Sequence, residues 1–195
     1  MIIAAIVLAA GRGSRFSEAN SGGPPKMMAP VDGVPMIRRT VESLVAGGVD
    51  RCVVVVSGEQ STVIARALAG LPVTCVVNPD PDRGMFSSVQ CGMVAAVEAG
   101  SCVLLPGDMP FVAPATVSRL ISAAAMTGRT VVPLLHGHPG HPVVCSQGLR
   151  DKILAAEAIA RLDHLMREED VVLLEVTDSG VRRDVDRPAD LPHST

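Results

Sequence analysis

The chain has 195 residues, 48% of them hydrophobic, with no Trp or Tyr and three Phe, so a sizeable core must be built from Ala, Val, Leu, Ile and Met. The formal net charge is -3 and no basic block stands out, which argues against a broad nucleic-acid or membrane-surface footprint. The apolar run from Met1 to Ala10 is too short to span a bilayer and has no positive residues ahead of it, so neither a membrane span nor a signal peptide is expected.

In chain order, apolar and mostly β-branched runs place strands at Ile2–Leu8, Arg51–Ser57, Val73–Val77, Cys102–Leu105, Thr130–Leu135 and Val171–Val176, with a shorter one at Pro142–Cys145. Several lack polar alternation, as strands covered on both faces do. Helices are expected between them at Pro35–Ala46, Ser61–Ala69, Ser87–Ala99, Ala115–Met126 and Leu149–Glu168, the last broken or continuous. Pro35 suits a first helical position. Gly47, Gly48, Gly70, Gly100 and Gly128 stand where helices stop. Strand and helix alternate throughout without a linker or repeat, which implies one domain with a mainly parallel sheet covered by helices on both faces. The cysteines, Cys52, Cys75, Cys91, Cys102 and Cys145, show no CxxC spacing, and reduced thiols in a cytoplasmic protein are expected.

Ligands of such sheets bind beyond the carboxyl ends of the strands, so the polar loops after strands carry the chemistry. The first is Ala9-Ala10-Gly11-Arg12-Gly13-Ser14-Arg15. Its glycines let backbone N–H groups approach an anion, and its arginines match phosphate oxygens in bidentate geometry. It is neither GxGxxG nor GxxxxGK[ST]. Lys26 follows a Gly/Pro-rich stretch, Ser21–Pro25. Asp108, in Gly107-Asp108-Met109-Pro110, ends a hydrophobic strand, where it either holds a hard cation or caps the next helix. Asn78 opens a turn, and Ser87 and Ser88 stand where a helix starts and could cap it. His136, His138 and His141 invite a zinc reading, but no nearby carboxylate completes a tetrahedral set. Asp186 is either a second metal-side carboxylate or a turn residue before Pro188.

"LAAGRGSRF", then Lys26, an apolar pair, Pro30 and "DGVPMI" resemble the nucleotidyltransferases that activate small phosphorylated compounds with an NTP. The resemblance runs from Leu8 to Asp190. It implies a three-layer α/β sandwich with a Rossmann-like, mainly parallel sheet of the nucleotidyltransferase type over residues 1–195. "PGHPV" at 139–143 and the ending Asp184–Asp190 resemble the branch that cytidylylates the molybdenum cofactor. The stretch Ser17–Pro25 is longer than the family usually has, and Arg187 stands where Thr is common.

By this resemblance Leu8, Ala9, Ala10, Gly11, Arg12, Gly13 and Ser14 wrap the triphosphate, and Asn78, Ser87 and Ser88 line base and ribose. Asp108, with Asp186, holds Mg2+; Lys26 and Arg15 neutralise phosphate charge; Gly140, His141 and Pro142 face a pterin-bearing substrate. Ala10, where guanylyl-transferring relatives carry Gly, points to CTP, a methyl being worth only about 1–3 kcal/mol of selectivity. The nucleophile is then the acceptor's own phosphate monoester, whose second pKa of about 6 leaves it largely dianionic at neutral pH, so no general base is needed. The expected reaction moves CMP to the molybdenum-molybdopterin phosphate, with an acceptor molybdoenzyme as a downstream partner. A guanylyl or other nucleotidyl transfer, or a non-catalytic cofactor carrier, are the alternatives.

Overall fold

Strand β1 (Ile3–Ala9) runs through the middle of the sheet, and its side chains divide the core in two. Ala5, Val7 and Ala9 join the cluster on one face; Ala4 and Ile6 join the cluster on the other. This period-2 split of an all-apolar run is what a strand covered on both sides requires. The computed structural model describes residues 2–20, 22–157 and 160–192.

Chain order continues with α1 (Ser14–Ala19), a small hairpin of β2 (Pro30–Val31) and β3 (Val34–Pro35), then α2 (Met36–Ala46), β4 (Arg51–Val56), α3 (Ser61–Ala67) and β5 (Val73–Val77). α4 (Met85–Ala95), β6 (Ser101–Pro106), α5 (Pro114–Thr127), β7 (Thr130–Leu135), β8 (His138–Pro139) and β9 (Val143–Cys145) follow, then α6 (Gln147–Ala155), α7 (Leu162–Arg167) and β10 (Val171–Glu175). The sheet order is β10-β7-β9-β6-β1-β4-β5, with β8 paired to β7. β9 runs antiparallel to β6 and β7; the pairs β1–β4, β1–β6, β4–β5 and β7–β10 are parallel. Helices α2, α3 and α5 pack on one face, through Ile37, Val41, Leu44, Ile64, Val117 and Leu120. α4 and α6 cover the other through Phe86, Val89, Met93, Leu149 and Ile153. The fold is the mainly parallel three-layer α/β arrangement expected, and among the described residues no helix is long and apolar enough to cross a membrane.

Four local expectations change and one open alternative is decided. Pro35 is not the first helical residue: it pairs with Pro30 in the hairpin and precedes α2 as its N-cap. α4 begins at Met85, because Gly84, at φ 89°, turns the chain there, and it ends at Ala95. Of the two alternatives for Leu149–Glu168 the broken one holds: α6 is capped by Ser146, whose Oγ accepts from Leu149 N at 3.0 Å, and α7 follows. Ala158 and Ile159, between them, lie outside the described residues. The stretch His136–Pro142 is mostly a hairpin, with His136 and Gly137 at φ 51° and 77° making the tight β7–β8 turn. The first loop holds the short α1, whose N-cap is Gly13 at φ 58°. The five cysteines are free; burial pushes the Cys52 thiol up to about 12.

α4 carries two joints that composition does not reveal. At Gly92 it crosses the sheet so closely that a Cβ would overlap Ile6 Cγ2 and lie 3.1 Å from Val55 Cγ2. Arg150, buried on α6, donates to the carbonyls of Ala96, Val97 and Ala99 just past the end of α4. Gly92→Val therefore costs about 2 kcal/mol of stability by overpacking, despite valine's better helix propensity, as read by urea unfolding.

Candidate active site

Connections leave β1 toward β4 and leave β6 toward β7, so the carboxyl ends of the adjacent strands β1 and β6 flank the point where the winding reverses. A crevice is expected at such a point, and the loops after these strands meet there. Gly107 N donates to Leu8 O at 2.8 Å, and Thr40 Oγ1 on α2 donates to Gly107 O at 2.9 Å. Val185 N donates to Asp108 O at 2.9 Å. Asp108 is thus fixed by β1, α2 and the segment after β10.

Lys26, at the start of a 3-10 turn over Lys26–Met28, places its ammonium between two carboxylates. Nζ donates to Asp108 Oδ2 at 2.7 Å and to Asp186 Oδ1 at 3.0 Å. Arg15 donates to the other oxygen of Asp186 at 2.8 Å. The Lys26 side chain is 11% exposed and Asp108 20%, against 77% for Arg12, so charge is worth far more at the first pair than at the rim. Asp186 is itself aimed by Asp190, whose Oδ2 accepts from Asp186 N and Arg187 N at 3.0 and 2.7 Å. Burial pulls the Lys26 pKa down, but the hydrogen bonds and charges of Asp108 and Asp186 outweigh it and hold it above the ordinary value. The hydrogen bond from Lys26 holds Asp186 below the usual carboxylate range, against desolvation and with the charges of Lys26 and Arg15. Two carboxylates converging on one held cation are also a suitable hard-oxygen donor pair for Mg2+.

Beside this cluster lies a cleft of about 280 Å³ lined by Leu8, Ala10, Gly11, Gly13, Ser88 and Asp108 among others. Gly13 touches Lys26 closely: a Cβ there would stand 3.1 Å from Lys26 Cβ. Ala9 points into the core instead, and Ser14 faces a smaller recess with Arg15 and Asp186. Arg12 reaches across to Asp82, 2.7 Å away. Asn78 Nδ2 donates to Ser87 Oγ and Ser88 Oγ, both at 2.9 Å, and Asn78 Oδ1 accepts from Asp80 N. These buried side chains pin the end of β5 to the first turn of α4; neither serine is its N-cap. Ser21, in the Gly/Pro-rich stretch before Lys26, lies outside the described residues.

A second, larger cleft of about 650 Å³ shares Gly84 and Met85 with the first. Gly140, His141, Phe86, Val132, Leu162 and Met166 contribute to its walls. Pro142 is buried next to it. Gly140 is required where the loop passes Val181, whose carbonyl a Cβ would overlap, and His141 N donates to that carbonyl at 2.8 Å. His141 Nδ1 is buried without a hydrogen-bond partner, and burial lowers the imidazole pKa, against the charges of Asp108 and Asp184. His136 and His138 sit on the exposed hairpin, apart from it. Asp82 escapes the sequence reading, and Asp190, Met85 and Phe86, though they stand in motifs that carry the resemblance, are given no role by it. Asp190 leaves a signal of its own, a carboxylate two residues after a proline that opens a 3-10 turn.

The model of the MobA-like NTP transferase domain matches residues 5–172. A 2-C-methyl-D-erythritol 4-phosphate cytidylyltransferase of Nocardia farcinica is 36% identical over 68% of this chain, which spans 56% of that protein. A nicotine blue oxidoreductase of Paenarthrobacter nicotinovorans is 30% identical over 94% of this chain and 92% of its own length. A probable molybdenum cofactor guanylyltransferase of Natronomonas pharaonis is 29% identical over 95% and 93%. A nucleotidyl transferase structure from Methanothermobacter thermautotroptrophicus superposes with a TM-score of 0.78 at 28% identity, over 97% of this chain and 94% of that one. A Mycobacterium tuberculosis structure solved with manganese gives 0.73 at 26%, over 97% and 96%.

The Asp186 shift fixes a pH dependence. A carboxyl held below its ordinary value of 3.8 stabilises the fold above that pH, and the contribution is lost as pH falls toward the depressed value. Lys26, raised above 10.5, contributes below that pH and loses its contribution as pH rises past it. The unfolding free energies of wild type and Asp186→Asn, measured against pH, differ by a constant between about pH 5 and 9, and the gap closes on acidification below about 4.

Proposed function

The chain belongs to the MobA-like NTP transferase domain family, and we propose that it transfers CMP from CTP to the phosphate of the molybdenum-molybdopterin cofactor, releasing pyrophosphate. What supports this reading is the pair of clefts joined at Gly84 and Met85: a small one with Lys26 and Asp108 in its lining, and a roomier one walled by Met85, Phe86 and His141. The first suits a triphosphate, the second a flat heterocycle carrying its own phosphate. A cytoplasmic setting and an acceptor molybdoenzyme belong to the same proposal, as does one domain over residues 1–195.

Asp108 and Asp186 are the residues to hold Mg2+, which when bound supplies charge neutralisation for the leaving pyrophosphate. Gly11 and Gly13 let backbone amides close on the phosphates, and Arg15 and Lys26 balance their charge. Lys26, half-buried and held from two sides, is set to orient the α-phosphate and the incoming phosphate in line. The acceptor phosphate is its own nucleophile, so the side chains align and neutralise rather than carry protons.

CTP is favoured by Ala10. One relative is named for cytidylyl and one for guanylyl transfer, which keeps GTP as the second reading. The relative named an oxidoreductase, matched over 92% of its length, supports a third, heterocycle binding without nucleotidyl transfer. Pyrophosphate release with Mg2+ and each of CTP, GTP, ATP and UTP, with and without molybdenum-loaded molybdopterin, separates them. Release with CTP and the pterin together is the expected result; release with GTP alone makes the protein a guanylyltransferase; silence with every pair favours the third reading. Asp108→Asn lowers turnover by about 100- to 1,000-fold while the circular dichroism stays native. Lys26→Ala does comparable damage, and Arg12→Ala costs less than about tenfold, since its charge works at high exposure.

A further inference from the structure

Three cations at the small cleft are each held by a carboxylate: Lys26 by Asp108 and Asp186, Arg15 by Asp186, and Arg12 by Asp82. Three positive and three negative charges cancel, so the cleft offers little net attraction to a polyanion. Two of the three carboxylates, Asp108 and Asp186, are the ones that would hold a divalent cation under the reading proposed above, and with a cation bound there they would no longer be available to Lys26 and Arg15. Asp82 has no such role. It lies on the 3-10 turn Pro81–Arg83, and its ion pair is with Arg12 and not with Lys26 or Arg15.

The placement of Arg12 and Asp82 is specific. Arg12 stands between Gly11 and Gly13, and both glycines line the cleft; Asp82 stands between Pro81 and Gly84, and both of these line it as well. The 2.7 Å ion pair joining residues 70 positions apart therefore spans the mouth of the cleft. Its side chains are 77% and 66% exposed, so it is weak enough to break and re-form as phosphates come and go.

We propose that Asp82 is a built-in competitor for Arg12: it occupies the guanidinium in the empty cleft, yields it to the phosphates of the nucleotide, and takes it back as pyrophosphate leaves. The inference rests on the nucleotide reading above. Asp82 thereby sets how tightly phosphate chains are held, weakening substrate and product alike, and Arg12 acts as an exchangeable contact rather than a fixed one. A carboxylate acting only by its charge would repel phosphates whether or not Arg12 were present; a competitor acts only through Arg12.

A double-mutant cycle on binding separates these. Calorimetric titration with Mg2+ is run for two probes, CTP without acceptor and inorganic pyrophosphate, on wild type, Asp82→Asn, Arg12→Ala and the double variant. Asp82→Asn is expected to tighten both probes about two- to fivefold, the equivalent of an exposed ion pair, and Arg12→Ala to weaken both. In the Arg12→Ala background, Asp82→Asn is expected to change neither affinity. Equal tightening in both backgrounds, or no tightening in either, overturns the competitor role while leaving nucleotide binding intact. Failure of wild type and all variants to bind either probe overturns the nucleotide reading itself, and this inference with it. Thermal melting of the four proteins shows that each is folded.

Discussion

The Lys26 ammonium between Asp108 and Asp186 is the constraint on which the site depends. It joins segments 82 and 160 residues apart along the chain, and Arg15 adds a bond spanning 171. Removing either carboxylate leaves a half-buried ammonium short of a partner, and removing the lysine leaves two carboxylates facing each other. Such unpaired charges are far costlier than the loss of a rim pair. The surrounding backbone is arranged to keep the three groups in place: Thr40 and Leu8 hold Gly107, Val185 holds Asp108, and Asp190 holds Asp186. The same cluster pairs each of its cations with a carboxylate, which leaves this part of the cleft near neutral.

The sheet serves this arrangement by bringing β1 and β6 side by side with connections leaving in opposite directions. Each strand ends in a loop tied to its neighbour, so the glycines of one and the carboxylate of the other share a crevice. The antiparallel β9 between β6 and β7 then returns the chain through Gly140 and His141, adding the wall of the larger cleft. Gly84 and Met85, at the head of α4, belong to both clefts, so the two halves of the site meet on one helix start.

Much of this was legible in the residues. The apolar runs marked the principal strands to within a residue or two, because burial on both faces leaves an unmistakable pattern. Lys26, Asp108 and Asp186 could be picked out from their neighbours, and they do come together. The remainder was hidden for physical reasons. Asn78, Ser87 and Ser88 look like polar groups awaiting a ligand, yet they satisfy one another, which no spacing rule reveals. The partnership of Arg12 with Asp82 depends on two loops meeting in space. Pro35 and the α4 start moved because Pro30 and Gly84 shape the backbone locally. The β7–β8 hairpin hides in a stretch whose histidines draw attention from the His136-Gly137 turn.

The late position of Asp186 has a consequence for how the cluster closes. Every strand of the sheet precedes it along the chain, so no strand pairing depends on the second carboxylate. Without that segment Asp108 alone would face the ammonium, and Arg15 would lack this carboxylate. The stretch carrying Asp186, aimed by Asp190, is thus a clasp fastened onto groups that the sheet and its first loops already hold.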